Sequence, residues 1–227
     1  MTDDPNNILS IDTSSSRLVL GLSYGLDRLI KSDNRVDKSH GQIILKKIEE
    51  LFESAGLERE ELQAVIVSRG PGSFTGLRIG LAAAKGLATA MDIPMYGVTL
   101  FELGAFKWSG IEEMRNLVIP SRKNEFYLGR IAGGKVLEEK TVSLDNKEDL
   151  DLMKSARIFT LEAILPGEAN GNGSPGSGLF EYDGADLIEL GRQRIEEGTA
   201  DDPATLEPVY YQKAIAEIRF EQRKDNQ

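Results

Sequence analysis

The chain has 227 residues, a length that accommodates one large domain or two small ones. Hydrophobic residues make up 40% and charged residues 28%, as in a globular chain with a full core, and no apolar run approaches the roughly 20 residues needed to span a bilayer. With no cysteine, a disulfide framework, thiolate zinc sites and thiol catalysis are excluded. The balance of 27 Lys and Arg against 37 Asp and Glu gives a net charge of -10, without the basic excess of a protein that grips nucleic acid alone.

Met1 to Asn7 is acidic and polar and lacks the basic and apolar regions of a signal peptide, so a cytoplasmic location is expected. Ile8 to Asp12 reads as a buried strand, followed by the polar turn Thr13 to Ser16 and a second strand at Arg17 to Leu22. A third strand is predicted at Arg28 to Asp33. From Gln42 the period becomes helical, with Ile43, Ile44, Ile48, Leu51 and Phe52 on one face and Gly56 placed for a left-handed cap. Ala64 to Ser68 is a β-branched buried strand. The glycine-rich stretch Arg69 to Gly80 leads into a helix running to Met91, and Pro94 precedes a short strand at Met95 to Val98. This order predicts an α/β fold, a sheet with antiparallel and parallel parts covered by helices.

Leu117 to Pro120, Glu125 to Ile131 and Lys135 to Glu139 repeat a strand-turn-strand pattern, a second sheet unit with fewer helical signals. Glu168 to Gly178 is glycine-rich and reads as a loop or connection. Leu187 to Glu196 has helical spacing, and Pro203 and Pro208 break the chain before Val209-Tyr210-Tyr211 and a charged tail. These divisions predict a first lobe over residues 1–104, a more variable second lobe over 105–206, and a closing segment over 207–227.

Several stretches could carry chemistry. Gly70, Gly72 and Ser73 open the loop that ends at Gly76, and a glycine loop between strand and helix can present N–H groups to a phosphate. No lysine follows Gly76, so it is not a Walker A loop, and the third glycine falls one residue late for a dinucleotide fingerprint. The other reading is a tight turn in which Ser73 or Thr75 caps the helix, and the residue types by themselves favour it. Asp12-Thr13-Ser14 is open to the same two readings, a metal-phosphate turn or an Asx-type turn. His40, the single histidine, opens a helix, and no Gly-x-Ser-x-Gly elbow accompanies it, so it reads as a helix-start or surface group rather than a catalytic base. Gly76, Gly80, Ala84 and Ala88 form one row of small residues on the long helix, and Ala82, Gly86 and Ala90 form a second. Such rows admit a close helix neighbour, either within the chain or on another protein.

ILSIDTSSSRLVLGL, SHGQIILKKIEELFESAG, VSRGPGSFTGLRIGLAAAKGLATAMDIPMYGV and EPVYYQKAIAEI together resemble the bacterial TsaB (YeaZ) family, continuously over residues 8–104 and again over 207–218. The resemblance implies a two-lobed actin-like (ASKHA) fold, each lobe a mixed sheet with flanking helices. It also implies a non-catalytic scaffold that binds the transferase TsaD, alongside the ATPase TsaE. Their product is threonylcarbamoyladenosine, next to the anticodon of tRNAs reading codons that begin with A. The partner surface it implies falls on Gly76, Leu77, Gly80, Leu81, Ala84 and Ala88, with Ile44 and Lys47 of the preceding helix. In the absence of TsaD the same surface could join two copies. It implies no catalytic residue and no cofactor of the chain's own. ATP or ADP would enter through TsaD or TsaE, with Asp12, Gly70, Gly72 and Ser73 as the contacts at a subunit junction, and tRNA only through the complex. No membrane partner is implied.

One difference from the family's catalytic paralogue and one departure from the family's own pattern matter. The catalytic paralogue carries Val-Asn-His-Leu-Glu-Ala-His after its last first-lobe strand, and the two histidines hold a metal. Here the stretch is Val98-Thr99-Leu100-Phe101-Glu102-Leu103-Gly104, with Leu100 and Gly104 at the ligand positions, and neither binds a metal. Many family members carry Asp-Ala-Arg at the start of the second lobe, where this chain has Pro120-Ser121-Arg122. The alternative reading is a stand-alone actin-like enzyme, a small-molecule kinase or peptidase. A third is a regulator that binds nucleotide without a partner.

Overall fold

Residues 5–36, 40–161 and 178–211 are described by the computed structural model. The first strand, β1 (Ile8–Asp12), is fully buried and lies at the centre of a five-stranded sheet. It pairs antiparallel with β2 (Arg17–Tyr24), which pairs antiparallel with β3 (Arg28–Arg35). The third strand is two residues longer than its pattern predicts, because all eight residues of β2 find a partner on β3. On the other side β1 runs parallel to β4 (Ala64–Ser68), and β4 parallel to β5 (Met95–Val98). The parallel pairings require crossovers, which α1 (Ile44–Ala55) and α2 (Phe74–Met91) supply.

The second sheet repeats this plan. Strands β6 (Arg115–Arg122), β7 (Glu125–Ala132) and β8 (Lys135–Ser143) form the meander, and β9 (Arg157–Thr160) and β10 (Gly178–Leu179) add parallel strands. Read from the meander edge, both sheets have the order third, second, first, fourth, fifth. This is the two-lobed, mixed-sheet actin-like architecture that the resemblance implies.

Side-chain alternation along the strands places the layers. In the first sheet Leu9, Ile11, Leu18, Leu20, Val65 and Val67 face α1 and α2, while Ile8, Val19, Ala64 and Ile66 face the other way. On that second side lie α3 (Leu100–Lys107) and α5 (Gly184–Glu196), and beyond them Leu117, Ile119 and Ile131 of the second sheet. The far face of the second sheet, with Val118, Phe126 and Leu128, is covered by α4 (Lys147–Lys154) through Met153. The helix pair α3 and α5 is thus shared by both sheets. After α5 the chain returns to the first sheet, where the Asp201 N–H donates to the Met95 carbonyl at 2.9 Å and Leu206 enters the core.

The helix α3 begins at a capping box that the spacing Thr99-x-x-Glu102 encodes: the Glu102 N–H donates to Thr99 Oγ1 at 3.0 Å and the Thr99 N–H to Glu102 Oε2 at 2.6 Å. Asp183 and Asp186 do the same for α5, and Asn146 caps α4. Gly56 ends α1 in the left-handed conformation, as its position predicts.

The two glycines of α2 that differ most in surroundings give a direct test of packing. A Cβ on Gly76 would lie 2.1 Å from the Thr13 carbonyl oxygen, whereas one on Gly86 meets nothing within 4 Å. In urea unfolding, Gly86→Ala is expected to stabilise by about 1 kcal/mol through helix propensity. Gly76→Ala is expected to destabilise by about 1–3 kcal/mol, as overpacking does, despite the same propensity gain. Equal effects from the two substitutions would contradict this packing.

Candidate functional site

The two stretches singled out as phosphate contacts are packed against each other. The turn Thr13-Ser14 sits under the first turns of α2, and three glycines allow the approach: a Cβ on Gly72 would lie 2.2 Å from the Ser14 carbonyl oxygen, on Gly76 2.1 Å from the Thr13 carbonyl oxygen, and on Gly80 2.2 Å from Thr13 Oγ1. The contact is sealed by hydrogen bonds. The Ser73 N–H donates to the Ser14 carbonyl at 2.6 Å, and Thr13 Oγ1 donates to the Gly76 carbonyl at 2.7 Å. Ser73 Oγ accepts from the Gly76 N–H at 3.2 Å, so the serine caps α2. Gly70 takes a φ of +100° and its carbonyl accepts from the Leu100 N–H at 2.7 Å, tying the loop to α3. The glycines of this loop therefore make room for the chain's own backbone.

Asp12 is completely buried, and both of its oxygens have partners. Oδ1 accepts from the Ser14 N–H at 2.8 Å, the Asx-type turn, and Oδ2 accepts from the Tyr182 hydroxyl. Tyr182 comes from the segment between β10 and α5. Arg17 holds it from the other side: its guanidinium lies 5.1 Å from the Tyr182 ring centroid and donates to the Tyr182 carbonyl at 3.0 Å. The guanidinium is in turn paired with Asp33, which raises its pKa further. Burial first, and then the Asp12 charge, push the Tyr182 phenol well above its ordinary value, so it stays a donor. Nothing in the sequence pairs residues 12 and 182; the Asp183-x-x-Asp186 cap is the one local signal nearby.

His40 opens a short 3-10 turn, as its position predicts, but it is buried rather than on the surface, with Nε2 3.3 Å from the Arg17 carbonyl oxygen. Leu100 is fully buried, and a Cβ on Gly104 would meet Ile131 Cδ1 at 2.8 Å and Leu117 Cδ2 at 3.1 Å. The two positions at which the paralogue has histidines are thus hydrophobic core between α3 and the second sheet. Among the described residues, no cluster of three or more His, Asp or Glu side chains could hold a metal ion. Pro120 and Arg122 flank a bulge in β6.

The surface assigned to a partner needs correcting. Gly76, Leu77, Gly80, Leu81, Ala84 and Ala88 are all buried, facing the chain's own sheet and the Thr13 turn, and Ile44 of α1 is buried as well. Helical spacing identifies a small-residue row but not which side of the helix is covered. The outward face of α2 is the second row, Ala82, Gly86 and Ala90, continued by Arg78, and α1 turns Leu45, Lys46 and Glu49 outward. Lys47 is half-buried and paired with Glu50 at 2.7 Å. The segment Glu168 to Ser177 and the tail Arg219 to Lys224 lie outside the described residues. Tyr210, to which the sequence assigns no role, has its ring tilted against Phe74 with centroids 5.2 Å apart, and its hydroxyl accepts from Arg78 Nε at 3.2 Å. Arg69 donates to the Glu207 carbonyl at 2.9 Å.

These features define a two-lobed actin-like chain whose central turn and glycine loop are closed by its own residues. A family model described as TsaD, tRNA N6-adenosine threonylcarbamoyltransferase, matches residues 33–170, more than half of the chain. The chain belongs to that family. Among curated relatives it is similar to the tRNA threonylcarbamoyladenosine biosynthesis protein TsaB of Escherichia coli, 37% identical over 123 residues, which are 53% of this chain and 52% of that protein. The TsaB of Haemophilus influenzae is 30% identical over 131 residues, 57% of this chain and 55% of that protein. The aligned part of the chain spans about half the length of the curated relatives it matches. YeaZ from Pseudomonas aeruginosa shares the fold, with a TM-score of 0.69 at 22% identity over 90% of this chain and 99% of that one.

The Asp12–Tyr182 contact makes a quantitative prediction. Tyr182→Phe leaves a buried carboxylate oxygen without its donor and is expected to cost about 1–3 kcal/mol in denaturant unfolding at pH 7. Because the folded state holds the phenol proton more tightly than the unfolded chain, this contribution is present below pH ~10 and fades as pH rises above that ordinary phenol value. In a double-mutant cycle with Asp12→Ala the two losses should fall short of additive. Strict additivity would mean that the two side chains do not interact.

Proposed function

We propose that this chain is a non-catalytic member of the machinery that makes threonylcarbamoyladenosine in tRNA, a scaffold for a TsaD-type transferase acting with a TsaE-type ATPase in the cytoplasm. The observation that carries the reading is the fate of the two metal-ligand positions: Leu100 and Gly104 lie in apolar core, where no ion could be hydrated or coordinated. The engagement of both Asp12 oxygens by Ser14 and Tyr182 supports it, because that turn presents no free acid to a magnesium-bound phosphate. Any ATP or ADP in the assembly is then held by TsaD or TsaE. The net charge of -10 fits a subunit that meets tRNA through its partners. Among the described residues, no helix is long and apolar enough to cross a membrane.

On this reading TsaD docks on the outward faces of α1 and α2, where Ala82, Gly86 and Ala90 allow a close helix approach and Leu45, 63% exposed, offers an apolar contact. Without TsaD a second copy takes the same faces.

Two experiments test this proposal. Purified TsaD, TsaE, threonylcarbamoyl-adenylate and tRNA are expected to form the modified nucleoside only when the chain is added, and the chain alone is expected to hydrolyse no ATP. A chain that is dispensable there yet turns over ATP unaided is a stand-alone enzyme. The interface is probed by Gly86→Arg, which the open surroundings of that position tolerate. It should abolish co-elution with TsaD while leaving the melting temperature near that of the parent. Undiminished co-elution would remove these faces from the interface. Gly80→Arg cannot serve, since Thr13 Oγ1 occupies the space and the variant would report on folding.

A further inference from the structure

Two stretches of chain cross between the sheets before the closing segment: β5 runs into α3 through Thr99, and β10 runs into α5 through residues 180–183. Helix α3 packs on β7 and β8 of the second sheet, whereas α5 packs on β1, β2 and β5 of the first. The two helices meet through Lys107 with Asp186 at 2.7 Å and Arg194 with Glu102 at 3.4 Å. A sheet carried on two crossovers can swing about the line between them, because a few residues in each absorb the change in backbone angle. Strand β10 forms one edge of the second sheet and β8 the other, so a hold on β8 acts far from the second crossover.

The segment after α5 supplies such a hold. Leu206 and Pro208 are buried, Leu206 in the core of the first lobe. Arg69, the residue after β4, grips the backbone twice: its Nε donates to the Glu207 carbonyl at 2.9 Å, and its carbonyl accepts from the Val209 N–H at 2.9 Å. Tyr210 then lies against Phe74 and Arg78 of α2. The next residue is on the other sheet. The Tyr211 ring stands 5.6 Å from that of Tyr127 on β7 and 6.0 Å from that of Phe101 on α3, and its hydroxyl donates to Glu139 on β8. Burial first, and then the bond to Glu139, raise the phenol above its ordinary value, so it remains a donor at neutral pH.

We propose that residues 206–211 are a strap that holds the β8 edge of the second sheet to the first lobe, with Tyr211 as its pin. No free residue separates the two ends. Val209 is bonded to the end of β4, Tyr210 to α2 and Tyr211 to the second sheet, and one residue reaches at most about 3.6 Å, so the strap has little slack. A swing of β8 away from β4 must therefore break either the Arg69 bonds or the Tyr211 contacts. The ring contacts carry more of the hold than the hydroxyl bond, since Glu139 is exposed and water competes for its oxygens. The inference rests on these contacts and not on the partner assignment.

The chain has no cysteine, so two can be introduced without background, at Glu53 on α1 and Glu148 on α4, both exposed and on opposite outer layers. With spin labels at both, pulsed dipolar spectroscopy on the full chain is expected to give one narrow distance distribution. Tyr211→Ala in the same background is expected to broaden and shift it, and Tyr211→Phe, which keeps the ring, to leave it close to the parent. The proposal is overturned if a Tyr211→Ala chain with a native circular dichroism spectrum keeps the parent distribution. Should Tyr211→Ala fail to fold, nuclear Overhauser contacts in the unmodified chain decide. They are expected between the rings of Tyr211 and Tyr127, and their absence would show that the strap does not reach the second sheet.

Discussion

The contact between the Thr13-Ser14 turn and the first two turns of α2 governs much of what this molecule can be. It is a backbone-to-helix contact with no room for a Cβ on either Gly72 or Gly76, and it joins the end of the central strand to the loop after β4. The Ser14 carbonyl accepts from Ser73 and Thr13 Oγ1 donates to Gly76, so these groups are satisfied within the chain, while the buried Ser14 hydroxyl has no hydrogen-bond partner among the described residues. Once this contact is made, α2 can lie only with its Gly76–Gly80–Ala84–Ala88 row inward, and the choice of outward face follows. The same contact sets the register of the loop, whose Gly70 carbonyl starts α3 through Leu100. From there α3 carries Phe101 beneath Gly129 of the second sheet, and the shared core follows.

The ionic interactions have a different part. Several ion pairs among the described residues, such as Arg59 with Glu49 or Lys46 with Glu50, lie on exposed surface and contribute little in water. The group around Arg17 is less exposed and has a geometric role, since Asp33 orients the guanidinium that then clasps Tyr182. A bidentate arginine suits this task better than lysine would, because its planar fork serves the carboxylate, the carbonyl and the ring face together.

Strands β1, β2 and β4 were legible because each is a short β-branched or leucine-rich run, and α1 because its apolar residues recur at 3.6. Helix α3 carried no such period: Leu100, Phe101, Leu103, Gly104 and Ala105 are buried on all sides, so its sequence shows an apolar run without a polar face, and only the Thr99-Glu102 spacing marked it. Helix α4 has one buried residue, Met153, too weak a pattern to read. At the site, the turn and capping readings of Asp12 and Ser73 followed from residue type. The Tyr182 contact could not, since the residues involved lie 170 positions apart and only tertiary folding brings them together.

The two small-residue rows of α2 show where periodicity reaches its limit. Gly76, Gly80, Ala84 and Ala88 recur at four, as do Ala82, Gly86 and Ala90, and nothing in either row distinguishes the covered side. The distinguishing information sits outside the helix, in the β1 turn, where Thr13 and Ser14 direct two carbonyls and a hydroxyl at whichever row is brought against them. Gly76 and Gly80 meet those groups at distances that exclude any side chain, so glycine there is required by packing. Gly86 meets nothing, and a residue that weakens the helix by roughly 1 kcal/mol relative to alanine has no reason inside this chain to be there. Close approach of a partner helix to the exposed row of the longest described helix, as proposed above, would account for a glycine at that place.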